Sequence, residues 1–272
     1  MFRTLGRLWG PQHWWPAESQ FEVIVGAYLT QNTSWTNVER AMTNLRAANA
    51  LSVEAIRKMP LTRLEELVRP SGYFRQKAER LKRFVAFVDK HYGESLDRMF
   101  AEPTPKLREE LLALNGVGPE TADSILLYGG GHEVFVVDAY TRRVLDRHGM
   151  LPATAPYEDV RELFEKAFGP AHVSAMSIGG ESGTTRSTVN APTNEPHETA
   201  LYGAAHAPSH ASEMLRSPRA QLFNEIHAMI VGIGKNYCLK TAPLCEVCPL
   251  RKYLPETPAS RRKPPVHGNT TA

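Results

Sequence analysis

The chain has 272 residues and a mass of 30.3 kDa, enough for one large domain or two modest ones with a sizeable core. Its 42% hydrophobic and 22% charged residues exclude a wholly disordered chain, and it contains no apolar run typical of a membrane span or a secretory signal. The 32 basic and 29 acidic residues give a net charge of +3, which permits a nucleic-acid partner without requiring one. We therefore expect a soluble, intracellular protein of the cytoplasm.

Apolar residues at helical spacing dominate the chain and predict an all-α fold. Ser34 or Thr36 is expected to cap an early helix, and Thr104 before Pro105 is typical of a later helix start. Thr62 with a glutamate three residues later predicts a capping box. In chain order, the predicted helical segments are 17–31, 38–45, 62–67, 81–88, 106–114, 119–127, 158–168 and 221–233.

Residues 172–218 form a break in composition that is rich in Ser, Thr, Gly, Ala, Pro and Asn. Tyr202 is the only aromatic residue in this segment, which contains no lysine. Such a segment buries too little apolar surface to offset the entropy lost on ordering, so we expect a disordered insertion. Residues 257–272 are expected to form a flexible tail.

A glycine hairpin joins two predicted helices within residues 111–127, where Gly116 and Gly118 precede Pro119. Glycines lack the Cβ atom that would keep a phosphate from the backbone, and the amides at a helix start are free. This combination suits a DNA backbone phosphate. The alternative is an ordinary helix–helix turn in which the glycines only allow the backbone to turn sharply.

Asp138 follows residues 134–137, the only segment with the pattern of a strand, and precedes a predicted helix. Its simplest role is an N-cap. A carboxylate beside apolar walls can also stabilise a cationic centre or activate water. Arg142, one turn further along, either contacts phosphate or is solvated.

The three cysteines are clustered, with the spacing Cys238-x6-Cys245-x2-Cys248. A disulfide framework would distribute an even number of cysteines along the chain. The cluster instead predicts metal ligation in a reducing compartment.

In this order and spacing, the hairpin, Asp138 and the cysteine loop resemble the endonuclease III-like (helix-hairpin-helix, Gly/Pro-Asp) superfamily of DNA glycosylases, over roughly residues 14–255. The resemblance implies two helical domains with a DNA-binding cleft between them. One domain would be 20–135, with the hairpin at about 105–128. The other would be 1–19 plus 136–256, with the cysteine loop at 238–254. The implied partner is double-stranded DNA with a damaged base, bound by a monomer without membrane association.

The resemblance also implies a role for each site residue. Asp138 would face the sugar of a flipped nucleotide and stabilise the oxocarbenium charge of glycosidic cleavage. Base-pocket and intercalating residues would be Trp14, Trp15, Pro16, Gln31, Trp35 and Glu120. Phosphate contacts would come from Gly116, Gly118, Thr121, Arg142 and Lys252. An alternative for Trp14 and Trp15 is that they only pack the N-terminal segment onto the core.

Two positions depart from the family pattern. Glu120 occupies the position of the lysine whose amine forms a Schiff base in bifunctional members, which predicts loss of the lyase step. Leu254 stands where the fourth cysteine of the iron–sulfur loop would be. The resemblance thus implies a 4Fe–4S cluster on Cys238, Cys245 and Cys248. Without a fourth cysteine, three outcomes stay open: a non-cysteine fourth ligand, a cluster of three irons, or no cluster.

The aromatic residues around Trp14 and Trp35 are similar to those of type III 3-methyladenine DNA glycosylases. Alkylated purines are electron-poor cations that stack well on indoles. The sequence therefore predicts a monofunctional base-excision-repair N-glycosylase for alkylated purines. The alternatives are an oxidised-pyrimidine glycosylase with abasic-site lyase activity and a non-catalytic DNA-binding module.

Overall fold

The computed structural model describes residues 1–169 and 209–256. Within these ranges the protein has twelve α-helices and no β-strand, so the predicted all-α class is confirmed. The helices are α1 Phe2–Trp9, α2 Gln20–Leu29, α3 Trp35–Ala47, α4 Val53–Lys58, α5 Leu61–Val68, α6 Phe74–Tyr92, α7 Leu96–Phe100, α8 Thr104–Leu112, α9 Pro119–Ser124, α10 Ala139–Arg147, α11 Tyr157–Ala167 and α12 Pro218–Asn236. In the part of the chain that is described, none of these helices is both long and apolar enough to cross a membrane. The predicted tail 257–272 and residues 172–208 of the predicted insertion lie outside the described residues.

Helix α2 is the centre of the larger helical group, which comprises α2 to α9. The side chain of Ser19 caps it by accepting a hydrogen bond from the amide of Glu22 at 3.1 Å. Residues 21–29 are all buried, and α3, α6 and α9 pack around them. Lys77 Nζ donates to the carbonyl of Leu29 at 2.9 Å, which satisfies one of the free carbonyls at the helix end.

Helices α8 and α9 form the predicted helix-hairpin-helix. Gly116 in the hairpin has a φ of +83°, and a Cβ there would lie 2.0 Å from Arg80 Nε, so only glycine fits. The fully buried Asp123 of α9 pairs with Arg108 of α8 at 2.7 Å. This buried pair fixes the angle between the two helices and therefore the direction in which the hairpin points.

The second helical group combines the N-terminal segment with α10, α11 and α12. Helix α12 packs along α10 and against α1. The amide of Gln12 donates to Glu225 Oε2 at 2.8 Å, and the Asn224 side chain donates to the carbonyl of Trp14. Both ends of the described chain therefore meet in one group.

The strand predicted at residues 134–137 is wrong. These residues are buried, but the amides of Phe135 and Val137 donate to side chains, and that of Val134 donates to the carbonyl of His132, rather than to a neighbouring strand. The amide of Phe135 donates to Glu165 Oε1 at 3.1 Å, and that of Val137 donates to the hydroxyl of Tyr157 at 3.3 Å. The segment is thus an extended connection that leads into α10.

Two predicted caps are also displaced. Thr62 lies inside the first turn of α5, where Pro60 is the N-cap, so the capping box does not form. Thr104 is the first residue of α8, and Pro103 precedes it as the N-cap. In both cases a proline with its fixed φ sets the helix start one residue or more before the hydroxyl. Ser34 is the N-cap residue of α3, although its side chain makes no capping hydrogen bond there.

Residues 209–217, the C-terminal part of the predicted insertion, pack against the core. The Ser209 hydroxyl donates to the carbonyl of Trp15 at 3.1 Å and accepts from the amide of Ala17 at 3.2 Å. Arg216 donates to the carbonyl of Tyr128 at 3.1 Å, in the π-helical turn Ile125–Gly129 that follows α9. Ordered contacts with the N-terminal segment therefore extend well before Pro218.

Candidate active site

A cleft of about 970 Å³ separates the two helical groups. It is lined by the residues after α2, the hairpin, the π-helical turn, the start of α10 and one face of α12. Of the residues predicted to form the site, these line it: Trp14, Trp15, Gln31, Trp35, Gly116, Gly118, Glu120, Thr121, Asp138 and Arg142. Pro16 and Lys252 do not line it. One cleft thus collects residues that lie far apart in the sequence.

Asp138 occupies the N-cap of α10 at the floor of this cleft. Its Oδ1 accepts hydrogen bonds from the amide and the hydroxyl of Thr141, at 2.7 and 2.9 Å. Its Oδ2 lies 3.6 Å from Nε2 of His227. One oxygen therefore orients the carboxylate, while the other is left for substrate or water.

His227 of α12 is a neighbour of Asp138 that the sequence analysis missed. Its Nδ1 is 2.7 Å from the Tyr128 hydroxyl, and the ring is buried. Burial lowers the pKa of His227 more than the nearby Asp138 raises it, so the imidazole is neutral at neutral pH. Asp138 therefore has no cationic partner in His227. The only sequence signal was a histidine on an otherwise apolar helix face.

Glu120 lies in the first turn of α9 and shares the cleft with Asp138. Its pKa is raised to about 7, chiefly because the cleft walls desolvate the carboxyl group and also because Asp138 repels its charge. The residue is solvent-exposed and its side chain lines the cleft. Glu120 is therefore a carboxyl group that takes up a proton near neutral pH.

Aromatic rings form one wall of the cleft. Ring centroids of Trp15 lie 5.3 Å from Trp35 and 5.2 Å from Tyr128, and those of Trp14 and Trp35 are 6.5 Å apart. Trp14 and Trp15 are only 5% and 7% exposed, whereas Trp35 is half-buried. Trp14 and Trp15 thus pack the N-terminal segment and also line the cleft, while Trp35 offers more free surface.

Gln31 is held against the hairpin. Its Nε2 donates to the carbonyl of Gly116 at 3.0 Å and to the hydroxyl of Thr121 at 2.9 Å. Arg80 donates to its Oε1 at 2.7 Å. The Thr121 side chain is consequently buried and already bonded, which leaves its backbone rather than its hydroxyl for a phosphate. Arg80 is a second residue that the sequence analysis missed.

The other predicted phosphate contacts differ in accessibility. Gly118 is exposed, and a Cβ at this position would meet nothing within 4 Å. Arg142 lines the cleft, but its guanidinium donates to the carbonyls of Ala153 and Ala155 at 3.3 and 2.5 Å. Lys252 is exposed near the cysteine loop, outside the cleft. The hairpin therefore presents the most open approach for a DNA backbone.

The cysteine loop borders a separate, small cavity of about 10 Å³, lined by Cys238, Cys245, Cys248 and Leu254. Arg147 donates to Cys238 Sγ at 3.2 Å, and the amide of Leu250 lies 3.4 Å from Cys248 Sγ. All three thiols are free. Among the described residues, no three His, Cys, Asp or Glu side chains are placed to share a single metal ion.

The profile of the HhH-GPD superfamily base excision DNA repair protein matches residues 25–170. This range runs from α2 through the hairpin and Asp138 to the end of α11. The chain belongs to the HhH-GPD superfamily.

Curated relatives support this membership over most of the chain. The HhH-GPD protein is 37% identical over 254 residues to a Methanocaldococcus jannaschii protein named as a DNA repair glycosylase, covering 93% of each chain. It is 27% identical over 234 residues to endonuclease III of Sulfolobus acidocaldarius, covering 86% of this chain and 80% of that one.

Two solved structures have a similar fold. One is the Helicobacter pylori 3-methyladenine DNA glycosylase bound to 1,N6-ethenoadenine, with a TM-score of 0.63 and 29% identity over 85% of this chain and 94% of that chain. The other is a trapped covalent intermediate of endonuclease III with DNA, with a TM-score of 0.62 and 18% identity over 93% and 92%. The latter shows likeness of fold alone.

The HhH-GPD protein is a base-excision-repair DNA glycosylase, an enzyme that hydrolyses N-glycosidic bonds in DNA. The predicted superfamily and enzyme class are confirmed, and the non-catalytic DNA-binding module is set aside.

Proposed function

We propose that this glycosylase is monofunctional and releases alkylated purines from double-stranded DNA. The observation that carries the proposal is the placement of Trp14, Trp15 and Trp35 in the same cleft as Asp138 and Glu120. An alkylated purine is a flat cation, so it gains from stacking on indoles and from nearby carboxylates. The likeness to the H. pylori 3-methyladenine glycosylase supports the same substrate class.

In this proposal, the hairpin binds the DNA backbone and the damaged nucleotide turns into the cleft. The backbone amides around Gly118 and at the start of α9 meet the phosphate. Gln31, already fixed by Arg80 and the hairpin, is placed to occupy the gap left by the flipped base.

Asp138 then acts on the sugar. Cleavage of the glycosidic bond develops positive charge on the deoxyribose ring, which the free oxygen of Asp138 stabilises while it helps to orient water. Thr141 holds the other oxygen, so the carboxylate is in place before the nucleotide arrives. The bond of an alkylated purine is already weakened, so a modest site suffices.

The absence of a lyase step follows from Glu120, because a carboxylate cannot form an imine with the sugar aldehyde. The amine that the alternative would need is Lys235, which also lines the cleft and whose pKa is lowered by burial. We expect borohydride to trap no covalent complex between the protein and an abasic duplex. Trapping that disappears in Lys235→Met would contradict the monofunctional proposal and favour the lyase alternative.

We also infer that Cys238, Cys245 and Cys248 hold a 4Fe–4S cluster. The three thiols line one cavity, and in a cluster of this type each thiolate binds a different iron. The N–H groups near two of the sulfurs suit thiolates. When bound, the cluster would supply structural order to the loop rather than chemistry at the glycosidic bond.

The substrate proposal predicts a specific effect of Trp35. Purified protein should release methylated adenine from a duplex much faster than uracil or an oxidised pyrimidine. Trp35→Ala should lower release of methylated adenine by a factor of roughly ten to a hundred, because one stacking surface is lost. Single-turnover base release on each duplex measures both effects.

Trp9→Ala is the matched control, because Trp9 is also half-buried but lies on α1 outside the cleft. Its release rates should follow those of the wild type once folded protein is compared. Preferential release of an oxidised pyrimidine by the wild-type protein would overturn the substrate assignment.

The hairpin predicts a general effect on DNA affinity. Gly118→Leu places a side chain in open space, so the fold is retained but phosphate approach is blocked. We expect affinity to fall by about tenfold for damaged and undamaged duplexes alike, measured by fluorescence anisotropy at fixed salt. Gly169→Leu, where an added Cβ would meet only ordinary contacts, is the control. Unchanged affinity in Gly118→Leu would show that the hairpin does not bind the backbone.

A further inference from the structure

The proposed cluster lacks a ligand for its fourth iron, since Leu254 has no donor atom. The same cavity is also lined by His148, the residue that ends α10. We propose that Nε2 of His148 is the fourth ligand of the iron–sulfur cluster, an inference that rests on the cluster proposed above. Imidazole replaces cysteine on iron in other biological clusters, so the donor is chemically suitable.

The hydrogen bonding of the ring leaves the required atom available. His148 Nδ1 lies 2.8 Å from the carbonyl oxygen of Val144, which can only accept, so Nδ1 carries the proton. Nε2 then bears the lone pair, yet it is buried and has no hydrogen-bond partner among residues 1–169 and 209–256. A buried nitrogen of this kind is costly unless something binds it. When one ring nitrogen of a histidine binds a metal, the other usually carries the proton and donates it to a carboxylate or a backbone carbonyl.

The backbone fixes the ring in this position. Gly149 has a φ of +65° and its amide donates to the carbonyl of Asp146 at 2.9 Å, while the amide of Met150 donates to that of Leu145 at 3.0 Å. These two bonds form a Schellman motif that ends α10 directly after His148. The imidazole is therefore held by a closed helix terminus rather than by a loose loop.

The end of α10 is also tied to the cysteine loop. Arg143 donates to the carbonyls of Cys238 and Gly234, and Arg147 donates to the sulfur of Cys238 and the carbonyl of Lys240. These contacts hold the last two turns of the helix against the loop that carries the thiols. His148 follows Arg147 directly.

Other polar residues around the cavity are poorer ligands. Arg147 and Arg251 present guanidinium groups, which have no lone pair to donate. Tyr237 would have to lose its phenolic proton before it could bind iron, whereas a neutral imidazole binds directly. His148 is thus the side chain best suited to replace the missing thiolate.

The direct test uses full-length protein produced in cells that are supplied with 15N-labelled histidine, and then purified anaerobically. After one-electron reduction of the cluster, electron–nuclear double resonance should detect a coupled histidine nitrogen. The signal should vanish in His148→Leu. It should persist in Leu254→Met, a variant that retains His148. A reduced wild-type cluster without nitrogen coupling would overturn the assignment, and so would purified wild-type protein with no cluster.

Iron content gives an independent readout. We expect about four irons per chain in the wild type and loss of about one from His148→Leu on brief exposure to air. His148→Leu combined with Leu254→Cys should regain the fourth iron. The control is His132→Leu, since Nε2 of His132 is also buried but lies outside the cavity. If iron content and spectra of His148→Leu match the wild type, the proposal is wrong.

Because none of these readouts involves base release, their failure leaves the proposed glycosylase activity standing. Conversely, a glycosylase that prefers another lesion would leave the ligand assignment unaffected. Circular dichroism of each variant separates loss of the cluster from loss of the fold, and His148→Cys provides a further ligand-bearing variant.

Discussion

Asp138→Asn is expected to lower the rate of base release by about a hundredfold or more while DNA affinity is retained. Asparagine also caps helices well, so α10 and the bonds from Thr141 should persist. What is lost is the negative charge beside the developing cation on the sugar. Single-turnover release and equilibrium DNA binding, measured on the same duplex, separate the two effects.

Asp146→Asn is the matched control for this variant. Asp146 lies on the same helix and accepts a bond from the amide of Ala153 at 3.2 Å, but it is outside the cleft. It should release base at close to the wild-type rate. Near-normal turnover by Asp138→Asn would remove Asp138 from the catalytic role and leave it as a helix cap.

The second large effect concerns Glu120 and pH. With its pKa raised to about 7, Glu120 is protonated below that pH and ionised above it. A neutral purine adduct such as ethenoadenine needs a proton as it leaves, so its release should fall about tenfold per pH unit above 7. A cationic methyladenine already carries its charge, so its release should not show this fall.

Glu120→Gln tests the origin of the pH dependence. Glutamine can donate a hydrogen bond but cannot deliver a proton, so ethenoadenine release should drop by roughly a hundredfold below pH 7 and lose its slope. Release of methyladenine should change far less. A pH profile identical to that of the wild type would assign the slope to another group. Glu109→Gln is a suitable control, because Glu109 is an exposed residue of α8.

Local sequence patterns predicted the helical class and the hairpin because their physics is short-range. Gly116 and Gly118 mark a sharp turn, and Asp138 before a helix marks a cap. The local pattern gave a wrong prediction at residues 134–137, where a short apolar run is typical of a strand. The amides of Phe135 and Val137 are satisfied by side chains from α11, which no local pattern records.

The cleft residues that sequence analysis missed are those whose role depends on distant partners. His227 and Tyr128 lie 99 residues apart, and only the packing of α12 on the π-helical turn joins them. In the sequence, Arg80 has the pattern of a surface cation on an amphipathic helix. Only the fold brings it to Gln31 and the hairpin. His148 has an ordinary position at a helix end, and only the cavity and its unpaired nitrogen distinguish it.

The joining of both chain ends in one helical group has a consequence for the order of folding. The bond between Gln12 and Glu225 spans 213 residues, whereas α2 to α9 are built from near neighbours in sequence. During synthesis, α2 to α9 are complete long before α12 leaves the ribosome, so the bonds from α12 to Gln12 and to the carbonyl of Trp14 form late. Closing so long a loop is slow and entropically costly, so docking of α12 is expected to be the late step. Since α12 also supplies His227 to the cleft, a nascent chain would hold the helix-hairpin-helix before the wall of the cleft that α12 contributes is in place.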